Sequence, residues 1–489
     1  MKFISLSFSL LLGMVVQASS PIGWGKDTTG GEGGIEYHVK TYHELKEALV
    51  NHGKPNDPKI IYIESFINGL AREDGSLIDF ESLIPGYSFE KYVSCFTKDA
   101  KAYLETEECQ EITRLRSEGR ILQDQQVNID IPPNTSIIGH DYKAGFKELS
   151  LQVKNTDNII IKNLYIEAPN DYFSKFVPTD GVNGTWNSEY DAISINNSTN
   201  VWIDNCYLSD GSTSLDTQPI VFGQHIESHD GLIDVINGST KVTLSNNRFE
   251  NHKKGLLIGN SDSRKTDRDR LCVTLCNNVF INCNERLPRV RFGKVHTFNN
   301  YYYAETFHPA YPSYTVNNYF HSDDDAFPQY FIGLGVESNV VSERNSFNYI
   351  GNDDIPDSDD VIVYSYGGYI FHDHQSEYNG KLIDINGLAE QSFKFKVQNR
   401  IAQDLAKGKK HPDWINATFT TDTFIPSEYY DYELKDIDYV NDLINHVPSW
   451  MFSFSDEEDL SDSEEEEDSI QFGDIEDDSV REVAESDDE

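Results

Sequence analysis

Basic residues are scarce in this chain: 40 Lys and Arg stand against 82 Asp and Glu, a formal net charge of −42. A surface so negative argues against a nucleic-acid partner, whose phosphates need clustered cations. Long apolar runs are also missing. Beyond residue 20 no segment approaches the roughly 20 apolar residues that cross a bilayer, so no membrane association is expected. Cysteine is limited to six residues. Cys272, Cys276 and Cys283, spaced by four and seven without a histidine pattern beside them, do not make a structural zinc site.

What is present begins with a leader. Residues 1–20 place Lys2 ahead of an apolar run and Ala18, Ser19 and Ser20 behind it, the plan of a secretory signal peptide rather than an anchor. A secreted, extracellular protein is therefore expected, with Cys95, Cys109, Cys206, Cys272, Cys276 and Cys283 in an oxidising compartment. Cys95 with Cys109 is the preferred bridge, because both lie in one polar stretch and closing that loop restricts the unfolded chain. The other thiols read as buried or bridged. Sequons at Asn134, Asn183, Asn196, Asn197, Asn237 and Asn416 predict a glycoprotein.

Residues 21–452 read as one large domain. A short helix is expected near Tyr42–Leu49, a strand over Lys59–Ile63, and a polar insertion over 71–126 with helical spacing from Glu105 to Leu122. From Val127 onward a unit recurs: Ile159-Ile160-Ile161-Lys162-Asn163, Val201-Trp202-Ile203-Asp204-Asn205, Val242-Thr243-Leu244-Ser245-Asn246, Val273-Thr274-Leu275-Cys276-Asn277 and Val295-His296-Thr297-Phe298-Asn299. Those asparagines are spaced by 42, 41, 31 and 22 residues, as coils with variable loop insertions produce. An all-β solenoid is expected, its asparagines stacked in a ladder, with a β-sandwich rich in Asn turns as the alternative. Residues 401–451 read as helix and loop wrapping back along the solenoid. The stretch 453–489 differs in kind: 19 acids against the lone Arg481 predict a disordered acidic tail.

The order of WNSEYDAISI (186–195), STNVWIDN (198–205), ESHDGLIDV (227–235), HKKGLLIGNSDS (252–263) and ERLPRVRFGKVH (285–296) resembles polysaccharide lyase family 1, the pectate lyases. The resemblance implies a right-handed parallel β-helix that cleaves α-1,4-linked galacturonan by β-elimination. It implies a Ca2+ site from Asp191, Asp230 and Asp234, with Glu189 added when substrate is present. It also implies a catalytic set of Lys254, Arg286 and Arg291, with Arg286 abstracting the proton. Polygalacturonate is the implied partner, met by a monomer.

The residue chemistry agrees. Calcium takes six to eight hard oxygens, and three carboxylates leave room for water and a substrate carboxylate. Three converging acids without a cation would repel one another. An arginine base is harder to account for, since guanidinium holds its proton above pH ~12, so an alkaline optimum is expected. The body of the chain also remains at −24 without the tail, an unfavourable field for a polyanionic substrate. Asn205 and Asn260 stand where many relatives have histidine, and HSDDDAF (321–327) reads as an exposed acidic loop. The rival readings are a pectin lyase on methylated chains, a hydrolase with paired carboxylates, and a silent polysaccharide-binding wall protein.

Overall fold

The computed structural model describes residues 20–180, 184–305, 328–351 and 358–452. The expected leader but for Ser20, the acidic tail, the 321–327 loop and Asn183 lie outside the described residues.

Short β-rich segments separated by turns coil into a right-handed parallel β-helix. Among the described residues three sheets of ten, eight and ten strands carry it, and in each the strands follow one another in chain order, one rung per coil but for the closing antiparallel hairpin at 377–382. The repeated Val and Ile positions explain why. Ile159, Val201, Val242, Val273, Val295, Val340 and Phe371 pair in register through successive strands, and each is fully buried. Period-two alternation sends these residues inward, where each buried aliphatic contributes roughly 1.5–3 kcal/mol. A second sheet stacks Phe249, Phe280, Tyr302 and Phe347 with successive ring centroids 4.8, 4.8 and 4.6 Å apart, near the strand spacing of about 4.8 Å.

The asparagine ladder exists: Asn205 Nδ2 donates to Asn163 Oδ1 at 2.8 Å in the expected register, and from Asn247 onward the ladder runs one residue later. Asn163, Asn205, Asn246, Asn277 and Asn299 all take left-handed backbone, with φ of 52–59°, which asparagine tolerates better than other residues with a Cβ. Their turns aim the next side chain inward. Asn278 Oδ1 accepts the Asn247 backbone N–H at 3.0 Å, Asn300 Oδ1 accepts that of Asn278 at 2.9 Å, and Asn345 Oδ1 accepts that of Asn300 at 2.8 Å. The net gain from such a bond is only about 1 kcal/mol, whereas a buried unpaired amide costs about 1–3. The ladder thus chiefly prevents a penalty at each corner.

The insertion forms helices Phe89–Ser94 and Glu107–Val127, joined by a Cys95–Cys109 disulfide as expected. Thr106 caps the longer helix by accepting the Cys109 N–H, and Glu107 and Glu108 complement its positive end. A Cβ on Gly119 would lie 2.1 Å from Phe173 Cε1, so only glycine lets the helix seat on that ring. Cys206, Cys276 and Cys283 are buried free thiols, and Cys272 is free and half-buried.

After the helix Ile385–Lys407 the chain turns back, as expected. Thr420 bridges Ile370, Arg344 Nη1 donates to Lys435 O, Ser346 Oγ donates to Asn441 Oδ1, and Arg248 Nη1 donates to Ile444 O. Ser449 N then donates to Asn205 Oδ1 at 2.7 Å. This segment therefore runs against the direction of coil growth, and Asn205 serves as its anchor. No helix among the described residues is long and apolar enough to cross a membrane.

Candidate active site

The eight-stranded sheet brings the candidate residues together from successive coils. Ser194 pairs with Asp234, Asp234 with Leu257, and Leu257 with Arg289, while Gly231 pairs with Lys254 and Lys254 bridges Glu285. Asp191, two residues ahead of Ile193, is therefore level with Gly231. It accepts the Gly231 N–H at 3.0 Å. Asp234 lies between Ile233 and Val235, whose side chains fill the core.

Two of the three aspartates converge. The point a Cβ would occupy on Gly231 is 2.8 Å from Asp234 Oδ1 and 2.9 Å from Asp191 Oδ1. Loss of water, then the charges of Asp234 and Asp230, raise the Asp191 carboxyl well above its ordinary range. Loss of water and the Asp230 charge likewise push Asp234 up to about 7, against the pull of Arg286, Lys254 and Arg291. Asp230 is turned to Lys254, with Oδ1 3.3 Å from Nζ. Among the described residues no three acidic, histidine or cysteine side chains yet close as a metal ligand group. Asp191 and Asp234 nonetheless fit a hard cation: their oxygens crowd a side-chain-free cradle, and both carry a charge penalty that a cation would relieve. Glu189, expected at the ion only with substrate bound, is exposed here and lies 3.9 Å from Arg120 of the insertion helix.

The cations come from the next coils of the same wall. Lys254, 13% exposed at its side chain, pairs with Glu227 as well as Asp230. Burial opposes its charge, but those carboxylates hold the ammonium above its ordinary value. Burial alone would raise Glu227, yet Lys253 and Lys254 outweigh it and bring the carboxyl down to about 2. Arg286, 19% exposed, adopts a left-handed φ of 64°, a strained conformation for a residue with a Cβ. Its Nε has no hydrogen-bond acceptor, the Glu285 carboxylate being 3.8 Å away. Burial works against its charge, but Glu285, Tyr330, Asp230 and Asp234 keep the guanidinium more strongly protonated than usual. Arg291 donates to Asp262 Oδ1 at 2.7 Å and to Gly259 O at 2.8 Å; burial and then Arg289 lower its proton affinity.

Glu227 and His252 belong to the same site and were not singled out from sequence, although both lie inside the quoted motifs. His252 Nδ1 meets Asp210 Oδ1 at 2.5 Å and Nε2 meets the Asp230 carbonyl at 2.8 Å, so it fixes the backbone beneath Asp230. Arg268, between Lys254 and Arg286 in the chain, is spent on Glu337.

Residues 115–402 match the family described as pectate lyase. A pectate lyase of Bacillus subtilis (strain 168) is 33% identical over 415 residues, which cover 80% of this chain and 92% of that protein. Pectate lyase E of Dickeya dadantii (strain 3937) is 34% identical over 374 residues, or 75% and 77% of the two chains. Among solved structures, a pectate lyase bound to a hexasaccharide has a TM-score of 0.71 at 28% identity, over 87% of this chain and 95% of the other. The thermostable pectate lyase PL 47 has a TM-score of 0.70 at 28% identity, over 87% and 96%.

Proposed function

The chain belongs to the pectate lyase family, a family of lyases acting on polysaccharide, and from that premise we propose that it is a secreted, calcium-dependent enzyme that cleaves de-esterified galacturonan by β-elimination. The observation that carries this reading is the convergence of Asp191 and Asp234 on the Gly231 cradle, beside Lys254 and the unpartnered Nε of Arg286.

Asp191, Asp230 and Asp234 would hold the ion, Asp230 by turning from Lys254. Bound calcium supplies positive charge that attracts the C6 carboxylate of a galacturonate and acidifies its C5 proton. Lys254 and Arg291 neutralise the charge that spreads onto that carboxylate as the proton leaves. Arg286 takes the proton from C5. The C4–O bond breaks as the C4–C5 double bond forms, the departing oxygen takes a proton from solvent water, and a 4,5-unsaturated end remains. In the metal-free protein Glu285 first, then Tyr330, Asp230 and Asp234, hold Arg286 protonated, so the base works once a cation offsets the two aspartates and the solution is alkaline.

The test is ultraviolet absorbance of the unsaturated uronate released from polygalacturonate with calcium, with EGTA and with Arg286→Lys. Absorbance in the first condition alone is expected. Product from highly methylated pectin that survives EGTA would identify a pectin lyase, and reducing ends without absorbance a hydrolase.

A further inference from the structure

The sheet that carries the aspartates continues past them. From Asp234 the register runs through Leu257 to Arg289, then through Gly333 to Tyr364. Arg289 therefore stands two coils beyond Asp234, about 10 Å away at the strand spacing. Gly333 makes room in that column for its neighbours; a Cβ on it would lie 2.7 Å from Tyr330 Cε2 and 3.2 Å from Arg289 Cγ. The Arg289 guanidinium lies 3.8 Å from the centroid of the Tyr366 ring. Lys396, from the helix Ile385–Lys407, reaches within 5.2 Å of the same ring and 5.7 Å of Tyr364.

Two cations thus share one aromatic platform, and neither has a carboxylate partner among the described residues. Arg289 Nε is enclosed without an acceptor. Asp262, the carboxylate that acts on Lys396, is already bound to Arg291 at 2.7 Å. Burial, then Arg289 and Arg400, lower the proton affinity of Lys396, so the like charges oppose one another. Half-buried cations left without a counter-charge are a cost that a bound anion removes. A guanidinium held over a ring can offer its N–H edge to a planar carboxylate, and an uncovered tyrosine face takes a sugar ring well.

We propose that Arg289 and Lys396, over Tyr364 and Tyr366, form a subsite for the carboxylate of a galacturonate unit remote from the scissile bond. The subsite rests on the galacturonan-cleaving reading, and it gives an acidic protein a local grip on a polyanion.

The test is calorimetric binding of hexagalacturonate and trigalacturonate, with calcium, to the full chain carrying Arg286→Lys to suspend turnover, with and without Lys396→Gln. Lys396→Gln is expected to weaken hexamer binding about tenfold, the loss of one charge-assisted contact, and to leave the trimer within about twofold. In the active background the same change should raise KM on polygalacturonate with kcat held, and Lys396→Arg should restore it. Hexamer affinity unchanged by Lys396→Gln, equal losses for both oligomers, or no hexamer binding at all would overturn the subsite. A wild-type protein that binds hexamer with the Lys396 dependence but releases no unsaturated product would overturn the lyase reading alone.

Discussion

Asp191 reaches across 40 residues of chain to accept the Gly231 N–H at 3.0 Å, and the side chain that Gly231 lacks is the space in which its oxygen meets that of Asp234. A methyl group placed there would sit under 3 Å from both oxygens and hold them apart. Gly231→Ala is therefore expected to weaken calcium activation by roughly tenfold or more, in the range seen when ligand supports are lost. The melting midpoint should change little, because the residue lies in an ordinary strand. A calcium titration of activity beside a thermal melt checks both.

The same carboxylates make stability depend on pH. Without calcium, folded Asp234 keeps its proton up to about 7 and Asp191 is raised in the same direction, whereas the unfolded chain releases both near about pH 4. Their contribution to stability is thus full below about pH 4 and is lost as pH rises toward about 7. Calcium should raise the melting midpoint markedly at pH 8 and little at pH 5, where protons compete for the ligands. Asp234→Asn should abolish the gain at pH 8. Calorimetric melts with and without calcium decide it; an equal gain at both pH values would refute it.

Glu227 is 3% exposed and holds both Lys253 and Lys254. Glu227→Gln would leave two enclosed ammonium groups short of a counter-charge, at a cost of about 3 kcal/mol. Its depressed carboxyl contributes stability above about pH 4.5 that is lost as pH falls through about 2. Urea titrations at pH 7 should show the full loss, and kcat should fall with it as Lys254 moves.

Adjacent asparagines should respond differently to alanine. Asn278 accepts the Asn247 N–H and donates to Leu244 O, so Asn278→Ala strands buried groups and should cost about 2–3 kcal/mol. Asn277, at φ 55°, supplies only a tolerated turn, and Asn277→Ala should cost about 1–2 kcal/mol. Denaturant midpoints rank the two; the reverse order would show that the ladder is incidental.

The coil repeat was legible because β-branched residues recur before a polar corner, and both properties are local. Beyond Asn205 the ladder was read one position early because two adjacent amides look alike until the turn decides which faces inward. Asp191, Asp230, Asp234, Lys254, Arg286 and Arg291 could be assigned to one wall from the motifs they occupy. The approach of Arg120 to Glu189 was not legible, since Arg120 lies on an insertion with no counterpart in the repeat. Arg289 and Lys396 were not legible as a pair, since only the docking of a distant helix brings them onto one ring.

Stacked coils that touch only their neighbours can peel apart from an end. Here the returning segment of residues 420–450 is stitched to rungs as far apart as Ile370 and Asn205. It acts as a splint laid along a stack of plates: opening any one gap also pulls on the ties at the others. The fold thereby trades stepwise fraying for all-or-none loss, and the wall bearing the aspartates keeps its spacing until the whole stack gives way.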